Sequence, residues 1–401
     1  MAALDGMRVL DMTQYEAGTS CTQYLAWLGA DVVKVEGPTG DPGRYTGKGL
    51  DGHPGDPQYF MNYSGNKRSV VLNLKTERGR EIFLDLVPHF DVFVENYGPG
   101  VIESLRLTPD VLCELNPRLI YTRIKGFGLS GPYKDFKVYD WVAQASAGTF
   151  SATGDTEGPP SIVGPTMGDS GTGMQAALGI LGAYVQQQRT GRGQVIELSM
   201  QEAVTMFMRT LDLAQWGKGP AGRHGNERGR AGGGLYPTRG GGPNDWVFIF
   251  PATTRMFDAL CTAMDRPDLL ADPRFESPRA RSEHLAELRE CIREYTVQHD
   301  KREVMRTLAG AGVPCSYVFD TMDLFTDEHL LARDFIKEVE HPVNGTVKLM
   351  RHPLRMDGLV EQDRAPLLGE HTDEVLAGLL GLAEGDLAEL HDAGVTRPTP
   401  Y

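Results

Sequence analysis

Short runs rich in β-branched residues alternate with helical patterns through the first half of the chain. Arg8-Val9-Leu10-Asp11-Met12 reads as a strand, about Ser20 to Leu28 as a helix, and Asp31-Val32-Val33-Lys34-Val35-Glu36 as a second strand. Strand, helix, strand is a βαβ unit, so a parallel sheet is expected. The alternation continues through a strand at Ser69 to Leu74, a helix over about Thr76 to Val87, and strands at Asp91 to Glu95 and Leu119 to Ile124. A polar, glycine-bearing stretch at Ser151 to Pro160 precedes a long helix from about Ser170 to Gln188, stopped by Thr190-Gly191-Arg192-Gly193, and Gln194 to Leu198 adds a further strand.

The pattern then changes. Gly217 to Gly242 is dense in glycine and arginine and poor in apolar residues, which reads as a linker or mobile loop. Leu235 to Thr238 and Trp246 to Phe250, either side of a Gly-Pro-Asn turn, read as a hairpin that opens a second domain. Helical patterns follow at about Thr254 to Met264, Ser282 to Thr296 and Lys301 to Ala309, and after Val347-Lys348-Leu349 the chain closes with a helical tail around Thr372 to Leu380.

The 401 residues carry 40 Lys plus Arg against 54 Asp plus Glu, a net charge of −14, which argues against a nucleic-acid partner. An anionic ligand must therefore find a local basic pocket. The length corresponds to two or three domains. Five scattered cysteines without a C-x-x-C pair point to a reducing cytoplasm and away from disulfides or structural zinc. Asp5 interrupts any signal-like start, and no apolar run is long enough to span a membrane, so a soluble, cytoplasmic protein is expected.

Several motifs fail on context. Gly47-Lys48-Gly49-Leu50-Asp51-Gly52 matches G-x-G-x-x-G, but no strand precedes it and no helix follows, so it reads as a flexible loop. Gly168-Asp169-Ser170-Gly171-Thr172 falls one residue short of a nucleophile elbow. No Walker A sequence and no H-x-x-x-H spacing occurs, so no metal site is expected. What remains is Asp169, an acid between glycines at the start of the long helix. It can be an N-cap, or a carboxylate held where free N–H groups stabilise charge developing in acyl transfer. Spacing alone leaves both readings open.

Blocks along nearly the whole chain resemble the family III CoA-transferases, most of all their formyl-CoA:oxalate branch. They are Val9-Leu10-Asp11 with Gly29 to Glu36, Asn66-Lys67-Arg68-Ser69, Val94-Glu95-Asn96-Tyr97-Gly98-Pro99-Gly100, Lys137-Val138-Tyr139, Gly168-Asp169, and Pro366-Leu367-Leu368-Gly369-Glu370-His371-Thr372. The resemblance implies an α/β fold: a Rossmann-like large domain over 1–200, completed by about 371–401, a linker over 201–229, a smaller α+β domain over 230–325, and a return linker over 326–370. It also implies an interlocked homodimer. Sequence physics alone would not have predicted the interlocking.

The implied reaction moves CoA from a short acyl-CoA, of the formyl, succinyl, acetyl or oxalyl type, to a small carboxylic acid. Asp169 would form first a mixed anhydride and then a CoA thioester. The implied catalytic set is Asp169, Tyr139, Gly233 and Gly234, with Gly232 to Gly234 as the loop over the intermediate and Gly240 to Gly242 as the hairpin turn. The plain alternative for both glycine runs is a flexible linker. CoA is expected as a substrate and not as a resident cofactor, held by Glu16, Ala17, Leu72, Lys75, Asn96, Tyr97, Gly98, Lys137, Val138 and Met200. Gly37 and Ser104 stand where two phosphate-binding arginines would align, and Arg106 or Arg44 is the candidate substitute. Glu16 aligns with an acyl-contacting glutamine, Tyr15 with a small residue, and Asp140 with a glutamate. A carboxylate facing a dianionic acceptor repels it unless protonated or paired, so Glu16 suits an acceptor bearing a hydroxyl or a cation better. Two alternatives stay open. A 2-methylacyl-CoA racemase would need a His where Tyr139 stands, beside Asp140, and tyrosine is a poor base at neutral pH. A non-catalytic CoA-binding protein would leave Asp169 idle.

Overall fold

A computed structural model describes residues 1–47, 56–227 and 232–399. The Gly47 to Gly52 motif lies, from Lys48 onward, outside the described residues, as do residues 228–231 of the glycine-rich stretch. The chain divides into two units. One comprises Met1–Phe150, Ile162–Trp216 and Asp334–Tyr401, and the other Ser151–Ser161 and Gly217–Arg333.

The first unit is built on six parallel strands: β1 (Arg8–Met12), β2 (Asp31–Glu36), β3 (Arg68–Val71), β4 (Val92–Glu95), β5 (Ile120–Lys125) and β6 (Val195–Ser199). Their spatial order is β3-β2-β1-β4-β5-β6. Both faces are covered, which is why the strands read as continuous apolar runs. Along β1, Leu10 and Met12 pack with Val35, Phe83, Phe93 and Tyr121 on one face, while Val9 packs with Leu25, Val92, Val94 and Ile180 on the other. The strand order reverses between β1 and β4, and ligands of such sheets bind in the crevice there.

The expected strand at Ser69 to Leu74 ends at Val71, because the Asn73 N–H turns away to the Val395 carbonyl at 2.8 Å. The C-terminal segment covers this edge: His371 N–H donates to the Ser69 carbonyl at 2.9 Å and Val71 N–H to Thr372 Oγ1 at 3.1 Å. The expected long helix is Ser170–Thr190, closed by Gly191 in the left-handed region. It lies against the helix Ala17–Trp27 at very short range. A Cβ at Gly173 would stand 2.1 Å from Ser20 Oγ and 2.6 Å from the Ala17 carbonyl oxygen.

The second unit carries an antiparallel sheet of β7 (Gly234–Pro237), β8 (Trp246–Ile249) and β9 (Cys315–Tyr317). The three residues of β9 are too few to show a periodicity. Helices Thr254–Ala263, Leu285–Thr296 and Lys301–Gly310 bury Phe257, Leu260, Leu288, Ile292, Val304 and Leu308 with the β8 residues Val247 and Ile249. The helix expected over Ser282 to Thr296 is two, Pro278–Glu283 and Leu285–Thr296, broken at His284. Ser151–Ser161 joins this unit through Arg223, which donates to the carbonyls of Ser151, Asp155 and Gly158. In the first unit, β10 (Ile336–His341) and β11 (Gly345–Met350) form a hairpin that packs Val347 and Leu349 on Phe60 and Met61. Among the described residues, no helix is long and apolar enough to cross a membrane.

Because backbone atoms fill the space beside Gly173, Gly173→Ala must push the two helices apart. Urea unfolding is expected to show a loss of about 1 to 3 kcal/mol; an unchanged midpoint would show that the contact is not tight.

Candidate active site

The loop after β1 is held by buried charges. At the end of β1, Asp11 Oδ1 accepts from Thr13 N–H at 2.9 Å, and its Oδ2 accepts from Thr22 Oγ1 at 2.6 Å and Lys67 Nζ at 3.1 Å. Lys34 Nζ donates to the Thr13 carbonyl at 2.7 Å and pairs with Asp41 at 2.8 Å. Asp41 Oδ1 in turn accepts from Tyr15 N–H at 3.0 Å. Arg44 clamps Glu36 through two bonds of 2.8 Å, pairs with Asp56 at 2.5 Å, and lies over the Phe60 ring. Arg44 is therefore committed to these carboxylates and not to a nucleotide. Burial opposes the ionised Glu36, yet Arg44, Lys34 and the Ser69 hydroxyl outweigh it and bring the carboxyl down to about 2. Tyr15, at φ +58°, turns the chain so that Glu16 begins the next helix.

Glu16 is 2% exposed and its Oε1 accepts from both Thr166 Oγ1 and Ser170 Oγ at 2.6 Å. The Tyr63 hydroxyl is bonded to the same carboxyl. Asp169 follows at the head of the helix Ser170–Thr190, but its side chain makes no capping bond. The capping reading therefore does not hold. The expectation of free N–H groups is also corrected in part: Ser170 N–H donates to the Thr166 carbonyl at 3.0 Å and Gly171 N–H to that of Met167 at 3.1 Å, because a preceding turn runs into the helix. Asp169 is positioned through its backbone, its N–H donating to Asp140 Oδ1 at 3.0 Å. A Cβ at Gly168 would come within 2.6 Å of the Asp140 carbonyl oxygen, so only glycine permits this approach.

Burial, and then the charges of Glu16 and Asp140, push the Asp169 carboxyl up to about 8. Burial likewise raises Glu16, against the Ser170, Thr166 and Tyr63 hydroxyls that favour its ionised form. The Tyr59 phenol is raised by burial and by Glu16 and Asp169. The Tyr15 and Tyr139 rings meet edge to face at 5.8 Å.

A cleft of about 390 Å³ opens where the strand order reverses, at the ends of β1, β4 and β5, and reaches Asp169. It gathers Glu16, Ala17, Asn96, Tyr97, Gly98, Lys137, Val138, Tyr139, Asp169 and Met200 along one wall or another. Asn96 clamps the first loop, accepting from Gln14 N–H and donating to its carbonyl, both at 2.8 Å. Leu72, Lys75 and Arg106 do not line it. Leu72 is buried in the core beside β3, Lys75 is exposed in the loop that follows, and Arg106 is exposed at φ +55° with its carbonyl held by Arg80. Gly233 and Gly234 belong to the second unit, where the Gly233 carbonyl accepts from Arg289 at 3.2 Å.

The family model for CoA-transferase family III matches residues 4–372 of this chain. The chain belongs to the family III CoA-transferases. It is 41% identical to a formyl-CoA:oxalate CoA-transferase of Streptomyces avermitilis over 98% of this chain and 99% of that one. A protein of the same description from Rhodopseudomonas palustris is 38% identical over 99% and 98%. Among solved structures, a CAIB/BAIF family protein from Brucella suis superposes with a TM-score of 0.84 at 30% identity, over 94% of this chain and 99% of that one. A Mycobacterium tuberculosis protein does so at 0.80 and 28%, over 93% and 99%.

In this CoA-transferase, the cleft also has walls that motif reading missed. Lys125, Lys134 and Phe136 line it. Lys125 Nζ bonds Glu95 at 2.8 Å and the Tyr97 carbonyl at 2.7 Å. Lys134 and Lys137 are exposed on the same short loop. Tyr59, Tyr63, Thr166 and Ser170 were also missed. Only the i, i+4 spacing of Tyr59 and Tyr63 on the helix Gln58–Ser64 was a sequence signal.

Two outcomes are expected. Arg44→Ala leaves Glu36 and Asp56 buried without their partner and should cost about 3 to 5 kcal/mol in chemical unfolding. Asp169 behaves oppositely: folded, it holds a proton up to about pH 8 that the unfolded chain releases near pH 4. Wild-type stability therefore falls between those values, and Asp169→Asn should be more stable by about 1 to 2 kcal/mol above pH 8, with the gain closing near pH 4. Unfolding curves across this range check it; a gain that does not depend on pH contradicts the assignment.

Proposed function

We propose that Asp169 is the nucleophile that carries CoA between a short acyl-CoA donor and a small carboxylic acid. The observation that carries this reading is an uncapped, partly buried carboxyl at the inner end of a cleft formed at the sheet's switch point. The ionised Asp169 oxygen attacks the donor's thioester carbonyl, the C–S bond breaks, and CoA thiolate leaves behind an acyl-aspartyl anhydride. The thiolate then attacks the Asp169 carbonyl carbon, releasing the donor acid and leaving an aspartyl-CoA thioester. The acceptor carboxylate attacks that thioester, and the returning thiolate takes the new acyl group and frees Asp169. Covalent capture splits one difficult exchange into steps that keep the acyl energy from water. A raised pKa supplies a desolvated and therefore more reactive carboxylate once it ionises.

In this reading, Asn96, Tyr97, Gly98, Lys137, Val138 and Met200 hold the CoA arm, with Lys125 and Lys134 as added cations near its phosphates. Asp140 fixes the Asp169 backbone, and Tyr139 stands at the site as a wall and not as a base. Lys75 and Arg106, both exposed, would meet the outer part of the nucleotide, and Leu72 would back the pocket from the core. Gly233 and Gly234 keep the shielding role that the resemblance gives them, supported by sequence position. A formyl-type donor is favoured by the names of the relatives. A homodimer, interlocked as the resemblance implies, would cover apolar residues left bare in the first unit, among them Met174, Leu178 and Val185 on one helix, with Leu213 and Trp216 after it. A cytoplasmic location is supported by the acidic chain and its five free cysteines.

The test is to mix the purified protein with a panel of acyl-CoA donors and unlabelled acids and follow new CoA esters by mass spectrometry. The peptide bearing Asp169 should gain CoA less one water, and Asp169→Ala should lose the adduct and at least about 10³-fold in turnover. Proton exchange at C2 of a 2-methylacyl-CoA without a new ester would instead make the protein a racemase.

A further inference from the structure

Resting on that reading, we propose that Glu16 is the residue that selects the acceptor, admitting small monoanionic carboxylic acids and turning away dianions such as oxalate. Glu16 and Asp169 line the same cleft, so an acid that attacks the Asp169 thioester must bring its carboxylate past Glu16. Glu16 cannot swing aside. It sits at the head of a helix, is 2% exposed, and has one oxygen fixed by two hydroxyls, each at 2.6 Å, one of them on the residue next to Asp169.

Among the described residues, the charges acting on Asp169 are negative, those of Glu16 and Asp140, and Asp140 is itself buried with its oxygens taken by Gln144 and by the Asp169 N–H. Among the described residues, the cleft's cations stand elsewhere: Lys125 is bonded to Glu95 and Tyr97, and Lys134 and Lys137 lie on the exposed loop ahead of Tyr139. An acceptor's attacking carboxylate loses its charge on forming the anhydride. A second carboxylate keeps its charge throughout and adds it to a site already holding like charges at low dielectric. Phenols also stand here: Tyr15 and Tyr139 line the cleft, Tyr63 is bonded to Glu16, and Tyr59 feels the charges of Glu16 and Asp169. Hydroxyl-lined walls accept the amide or hydroxyl of a monoanion without charge repulsion.

Oxalate and oxamate make the test, because they match in shape while oxamate replaces the second carboxylate with a neutral amide. With formyl-CoA as donor, wild-type kcat/KM for oxamate, or for glycolate, is expected to exceed that for oxalate by at least about tenfold. Glu16→Gln should close that ratio by at least about tenfold, through a lower KM for oxalate. The wild-type ratio needs no variant, so the inference can fail even if Glu16→Gln does not fold. Oxalate used as well as oxamate by the wild type overturns it, as does a ratio that Glu16→Gln leaves unmoved. Transfer to neither acid, without any CoA adduct on Asp169, overturns the nucleophile reading beneath it.

Discussion

Everything at the mouth of the cleft depends on how Asp11, Lys34, Asp41 and Lys67 pair where β1 ends. Each is buried, and a charge in that position is tolerated only if its partners satisfy it. Burial lowers the Lys67 ammonium, Asp11 opposes it, and the outcome is about 8. The bonds of this group run to the Thr13 carbonyl, the Tyr15 N–H and the Thr19 carbonyl, so the pairing fixes backbone as well as side chains. A hydrophobic substitute of equal volume could serve the core. It could not hold Tyr15 in a left-handed conformation and thereby aim Glu16.

The same economy appears on the other side of the site. Gly168 and Gly173 let one helix approach both Asp140 and the helix Ala17–Trp27 at distances no side chain permits. That approach brings Asp169, Asp140 and Glu16 together, with no cation among them in the described residues. The arrangement is unfavourable for stability and useful for chemistry, because a carboxylate that water solvates poorly is a better nucleophile. The stable charge pairs and the unstable carboxyl cluster are neighbours: Asp41 anchors Tyr15, and the residue after Tyr15 is Glu16. Rigidity in one is what keeps the other from relaxing by rotation toward solvent.

Much of this was legible in the chain. The alternation of apolar runs and helical periods located all six parallel strands to within a few residues, since both faces of such a sheet are buried and the run is continuous. Asp169 stood out because glycines flank it at a helix start. Most of the CoA-contacting positions that the resemblance supplied do converge on one cleft. The β9 strand and the break at His284 were not legible, since three residues carry no period and the break rests on a local backbone turn.

The site's electrostatics were beyond the sequence altogether. Glu16 and Ser170 are 154 residues apart, and nothing local to either predicts their bond. Residue 16 alone carries no sign of the hydroxyls that hold its carboxyl. Likewise Arg44 read as a free cation until the fold placed it between Glu36 and Asp56. Periodicity and flanking glycines are properties of neighbouring residues, so the sequence determined the strands, the helices and the place of Asp169 at a helix start. Burial and charge pairing are properties of space, so only the tertiary structure decided which carboxyls face one another and what that does to Asp169.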